Sequence, residues 1–224
     1  MRHDKQPPDE PWPDELRKEA LAVGVVLSPE TLGLFDRYMA ELLRWKARMN
    51  LAGFGNARAI ARDGFLDSLA CLQALPPGPL RIVDIGSGAG FPGIPLRLAR
   101  PDLEPTLIEA NRRRHSFLAH ACRTLDLHNV RCLHGRAEAV ALDAALRRAF
   151  DAAFARAVRQ LEAAASLAAP FLRSGGIFVG QQGAAAAAAP PSIPGYGRGT
   201  RLPAPQGDRP GRAGRSLLVY PRAP

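Results

Sequence analysis

The sequence predicts a doubly wound α/β domain, a parallel sheet carrying an N-terminal helical extension, and three observations predict it. Apolar runs of strand length recur near 81–85, 105–109, 130–134, 150–155 and 176–180. Stretches compatible with helix fall between them, near 92–99, 112–126, 138–148 and 160–172, and such alternation implies parallel strands joined by right-handed crossovers. The first run ends in Asp84 and breaks into a loop where Gly86, Gly88 and Gly90 alternate, the form of a first strand-to-helix crossing.

Taken in order, residues 1–79 read as the helical extension. Met1 to Pro13 is polar and proline-rich, without the apolar centre of a signal peptide. Asp14 to Val26 and Pro29 to Met49 read as two helices, the second opened by Ser28 as N-cap and Pro29 at the first helical position. Leu32, Phe35, Met39, Leu42 and Leu43 share one face of it and are expected to pack the extension onto the sheet. Ala57 to Leu75 reads as a third helix, ended by Pro76-Pro-Gly-Pro79.

Residues 80–183 carry the strand–helix alternation. Ligands of such sheets lie at the carboxyl ends of the strands, where Gly86, Glu109 and Glu138 fall. Residues 184–224 change character. Six alanines lead into a Gly/Pro/Arg-rich stretch that reads as loop or disorder as far as Arg215, with a last strand at 215–220.

With 224 residues the chain bounds one medium domain with an appendage, and nowhere do about 18 apolar residues run together, so no membrane span is expected. Cys71, Cys122 and Cys132 make no C-x-x-C pair, which suits a reducing cytoplasm and packing roles. His115, His120, His128 and His134 lack metal-ligand spacing, and no metal is expected. The net charge of +9 suggests an acidic partner, nucleic acid first. That inference is discounted because the tail from Ala184 alone holds six arginines against one aspartate.

The glycine loop favours one cofactor class. A dinucleotide fingerprint needs a small third residue at the position that Phe91 occupies. The pattern present, D-x-G-x-G-x-G, is similar to the first motif of class I S-adenosylmethionine (SAM) methyltransferases, which have a Rossmann-like fold. Glu109, 25 positions beyond Asp84, ends the second strand where a ribose diol needs a carboxylate, and Gly135-Arg-Ala-Glu138 follows the third as a loop over the adenine.

Several segments are more distinctive still: Trp45 with Asn50-Leu51, Leu66-Asp67-Ser68, Gly86-Ser-Gly-Ala-Gly-Phe-Pro-Gly-Ile-Pro-Leu96, Arg113-Arg114 before Phe117-Leu118, Arg136-Ala-Glu138, and Phe154-Ala-Arg156-Ala157. On these, from about Tyr38 to Gly183, the chain resembles the RsmG (GidB) methyltransferases of bacterial small-subunit ribosomal RNA. The resemblance implies methyl transfer from SAM to N7 of a guanine in 16S rRNA, with the small ribosomal subunit as partner; a cytoplasmic monomer is expected. It implies cofactor contacts by Gly86 and Phe91, the ribose on Glu109, and the adenine side on Ala137 and Glu138. Arg156 would reach the cofactor or the incoming base, with an ion pair to Glu138 as its structural alternative. Guanine N7 has no proton to lose, so no catalytic base is expected. Two positions depart from the family pattern: Gln182 stands where lysine is usual, and Gly64 where histidine is common. They leave open methylation of another RNA or a small molecule, or an impaired, ribosome-binding member.

Overall fold

In the computed structural model of the chain, residues 11–47, 55–156, 160–182, 190–203 and 216–224 are described. Asn50-Leu51, Ala157, Gly183 and the six alanines lie outside them.

Seven strands form one sheet in the order β3-β2-β1-β4-β5-β7-β6. The strands β1 (Leu80–Ile85), β2 (Leu103–Glu109), β3 (Arg131–His134), β4 (Phe150–Arg156) and β5 (Leu172–Gln182) run parallel. The strand β7 (Ser216–Pro221) inserts antiparallel to β5, and β6 (Thr200–Pro203) pairs antiparallel with β7. The strand order reverses at β1, with β2 and β3 on one side and β4 and β5 on the other, which places a ligand crevice outside the carboxyl ends of β1, β2 and β4.

Helices cover both faces. On one face lie α1 (Trp12–Ala22), α2 (Pro29–Lys46), α5 (Gly93–Ala99) and α6 (Arg112–Thr124), where Phe35, Tyr38, Phe65, Phe91, Leu107 and Phe117 join one buried cluster. Burying each such side chain contributes about 1.5–3 kcal/mol. The opposite face carries α7 (Ala137–Val140) and α8 (Leu161–Ala168), packed on Val83, Ile108, Ala153 and Phe178. The sequence shows why the helices begin where they do. Ser28 Oγ accepts from Thr31 N at 3.2 Å to cap α2, and Asn111 Oδ1 accepts from Arg113 N and Arg114 N at 3.0 and 3.2 Å to cap α6.

Four expectations need correction. The helix expected over 57–75 is instead α3 (Ala57–Ile60), a π-helical turn (Ala61–Leu66), α4 (Asp67–Leu69) and a 3₁₀ turn (Ala70–Ala74). The helix expected over 138–148 stops at Val140, with a separate 3₁₀ turn at Ala144–Leu146 capped by Asp143. Leu43, placed on the packing face of α2, is left 39% exposed, and Tyr38 occupies the core instead. The stretch read as loop from Pro190 onward contains β6, held because Ile193 and Tyr196 pack beside Phe178 and Tyr220.

Candidate functional site

The glycine loop is built from backbone outward. At the end of β1, Gly86 N and Ser87 N both donate to Ile108 O of β2, at 2.9 and 3.0 Å, so the loop is sewn to the neighbouring strand. Ser87 Oγ donates to Asp84 O at 2.9 Å, and Gly90 N returns to Ser87 O at 2.8 Å. Gly86 takes φ +71°, and a Cβ there would meet nothing within 4 Å, which leaves open space above the loop for a ligand. Gly90 is confined in the opposite way. With φ +93°, a Cβ would fall 2.5 Å from Ile94 Cδ1 and 2.6 Å from the Tyr38 hydroxyl. That hydroxyl, fully buried on α2, donates to Ala89 O, so the helical extension buttresses the loop from behind.

Glu109 and Asp84 supply the carboxylates. Glu109 is buried; its Oε2 accepts from Gly88 N at 2.8 Å and its Oε1 from Asn111 N at 2.7 Å. Each oxygen keeps a further lone pair for a ligand hydroxyl. The same residue thus links the glycine loop to the start of α6. Asp84 is completely buried: Oδ2 accepts from Gly93 N at 3.0 Å, while Oδ1 has no hydrogen-bond partner. Burial pushes its carboxyl up to about 7, against the lowering effect of the Gly93 amide and of Arg156.

Beside these, Arg156 ends β4 and Gln181 stands one residue before the end of β5, directly paired across the two strands. Each donates to a carbonyl of the irregular helix: Arg156 Nη2 to Asp63 O, and Gln181 Nε2 to Asp67 O at 2.7 Å. The Arg156 guanidinium lies 5.2 Å over the Phe91 ring, an attractive cation–π geometry. Gln181 is buried, and its Oε1 finds no partner. Strand alternation puts Asp84, Arg156 and Gln181 on the face covered by the helical extension.

Of the residues singled out in the sequence, Gly86 and Glu109 come together, linked through Gly88. Phe91 turns inward, its ring 5.8 Å from Tyr38 and 6.0 Å from Phe65, so it supports the loop rather than standing on its open side. Ala137 packs on the opposite face with Val83 and Ile108, and Glu138 is exposed at the start of α7. The alternative ion pair of Arg156 with Glu138 does not form; Arg156 turns to Asp63 O and Phe91. Tyr38 and Gln181 were missed. Tyr38 falls three residues after Phe35, so its helical spacing marks it, whereas nothing local marks Gln181.

Among the described residues no helix is long and apolar enough to cross a membrane, and no group of three or more His, Cys, Asp or Glu side chains is arranged for a metal ion.

The family model described as GidB, rRNA small subunit methyltransferase G, matches residues 32–189. A ribosomal RNA small subunit methyltransferase G from Roseiflexus castenholzii is 40% identical over 172 residues, spanning 77% of this chain and 74% of that protein. One from Chloroflexus aggregans is 40% identical over 162 residues, 72% of this chain and 68% of that protein. Among solved structures, a SAM-dependent methyltransferase from Aquifex aeolicus superposes with a TM-score of 0.51 at 12% identity, over 70% of this chain and 89% of the other. That likeness bears on the fold, which is the class I methyltransferase fold expected from the sequence.

Proposed function

The chain belongs to the rRNA small subunit methyltransferase G (GidB) family, and from that premise we propose that it transfers a methyl group from SAM to N7 of a guanine in 16S rRNA. The acceptor would be the small ribosomal subunit or a precursor of it, in the cytoplasm. The observation that carries this reading is the pairing of the Gly88 amide with the Glu109 carboxylate at 2.8 Å, at the carboxyl ends of adjacent strands. It sets a carboxylate with free lone pairs beside an open glycine loop.

The donor set fits SAM. Glu109 is the acceptor for ribose hydroxyls, and the space above Gly86 admits the nucleoside. Ala137 and Glu138 are the adenine-side residues of the reading, at the start of α7. SAM, when bound, supplies an electrophilic methyl on a sulfonium.

The protein's own part is positioning. Guanine N7 presents an in-plane lone pair and O6 lies beside it on the same edge. Arg156, which holds Asp63 O and lies over Phe91, would donate from its guanidinium to O6, which turns N7 toward the methyl. No base is required, because N7 carries no proton, and alignment can supply much of the rate. The test is transfer of labelled methyl from SAM to purified small subunits lacking the modification, with the product nucleoside identified by mass spectrometry. Label in 7-methylguanosine of 16S rRNA is the expected result. A SAM-binding protein that labels no 16S guanine would refute the reading.

A further inference from the structure

We propose that Cys122 and Cys132 form an oxidisable dithiol, a modification site at which an intramolecular disulfide links α6 to the edge strand β3. The two sulfurs lie 3.7 Å apart, in van der Waals contact, one near the end of α6 and the other within β3. A disulfide needs about 2.05 Å between them, so closure asks for a shift of under about 2 Å at flexible side chains.

The two thiols differ in the way such a step requires. Cys122 is buried, while Cys132 is half-buried on the strand at the margin of the sheet, where a small oxidant meets it first. The hydrogen bond between the two sulfurs lowers the Cys132 thiol, and the same bond, with burial, raises Cys122. Cys132 is therefore the nucleophile and Cys122 the resolving thiol. With hydrogen peroxide as oxidant, the Cys132 thiolate attacks one peroxide oxygen, the O–O bond breaks, and the departing hydroxide takes a proton to leave as water. The Cys122 sulfur then attacks the sulfur of the Cys132 sulfenic acid, the S–O bond breaks, and a second water leaves with the Cys122 proton. Two thiols and one peroxide become one disulfide and two waters.

Cys71 is a built-in control. It is completely buried, its sulfur faces Asp67 O at 3.7 Å, and burial pushes its thiol up, so it stays reduced. Position gives the pair its consequence. The helix α6 starts just beyond Glu109, and β3 leads into Gly135, whose N–H donates to Glu109 O at 3.1 Å. A bond between α6 and β3 braces the two elements that flank Glu109. A change in SAM affinity on oxidation rests on the function proposed above; the cross-link itself does not.

The experiment treats the full chain with one equivalent of hydrogen peroxide, alkylates the remaining thiols, and reads intact and peptide masses with and without dithiothreitol. The expected result is loss of two hydrogens, a peptide pair joined at Cys122 and Cys132, one alkylated thiol at Cys71, and full reversal by the reductant. The melting temperature should rise by a few degrees in the oxidised form, and Cys122→Ala should abolish the cross-link and leave Cys132 to over-oxidise. Three alkylated thiols after treatment, or sulfinic acid at Cys132 without a cross-link in the wild-type chain, would overturn the proposal. Because the masses are read on the wild-type protein, a poorly folding variant does not decide the matter.

Discussion

The two halves of the crevice are held by different means. At β1 and β2 the loop is fastened by its own backbone, through Gly86 and Ser87 to Ile108 O and through Gly88 to Glu109. At β4 and β5 the fastening is done by two side chains far away in sequence from their acceptors, Arg156 reaching Asp63 O in the π-helical turn and Gln181 reaching Asp67 O at the start of α4. The first half is a rigid seat whose geometry is largely local. The second depends on a tertiary match, so the helical extension takes part in the site. A π turn in such a place is a recurrent mark of function.

The comparison can be broken most sharply at Gly90. Gly90→Ala adds a methyl where φ is +93° and Ile94 and Tyr38 already stand within 2.6 Å. Strain and overlap together should cost about 2–5 kcal/mol, seen as a lower urea midpoint with SAM binding lost. A variant of wild-type stability would mean that the loop is far less constrained than its contacts indicate. Next comes Glu109→Ala, which deprives the Gly88 and Asn111 amides of their acceptor and should weaken SAM binding roughly ten- to a hundredfold by calorimetry. Unchanged affinity would remove Glu109 from the cofactor half.

A pH series sharpens the electrostatic side. Burial raises the Asp84 carboxyl from its ordinary value to about 7, so the folded protein holds a proton that the unfolded chain has released. Its contribution to stability is complete below about pH 4 and is lost as pH climbs toward 7. Asp84→Asn should therefore flatten the fall in unfolding free energy between pH 5 and about 7, measured by urea titration, and parallel curves would contradict this assignment. The smallest effect is expected at Gln181. Gln181→Leu loses the 2.7 Å bond to Asp67 O but also removes a buried oxygen that has no partner, so stability should shift by no more than about 1 kcal/mol, with SAM affinity unchanged. A larger loss on urea titration would show that the bond to Asp67 O contributes more than the unpartnered Oε1 costs.

Legibility in the sequence follows the same division. The strand–helix alternation, Asp84, the alternating glycines and Glu109 are local patterns, and each lands at a strand end as expected. Glu109 was legible because strand spacing alone brings it beside the loop. The role of Phe91 was not, because only the packing of Tyr38 and Phe65 decides that its ring turns inward. The break in the third helix, the strand β6 and the orientation of Arg156 all depend on partners dozens of residues away. Periodicity cannot report such contacts. Gln181 reads as one more residue of a strand until its donor is seen on Asp67 O.

The most direct test of the divided crevice is Arg156→Met, with SAM affinity and single-turnover methyl transfer to unmodified small subunits read on the same preparation. The account predicts SAM affinity equal to wild type, with transfer slowed by about 1–3 kcal/mol, roughly five- to 150-fold. A fall in SAM affinity large enough to explain all the lost transfer would place Arg156 in the cofactor half and contradict the division.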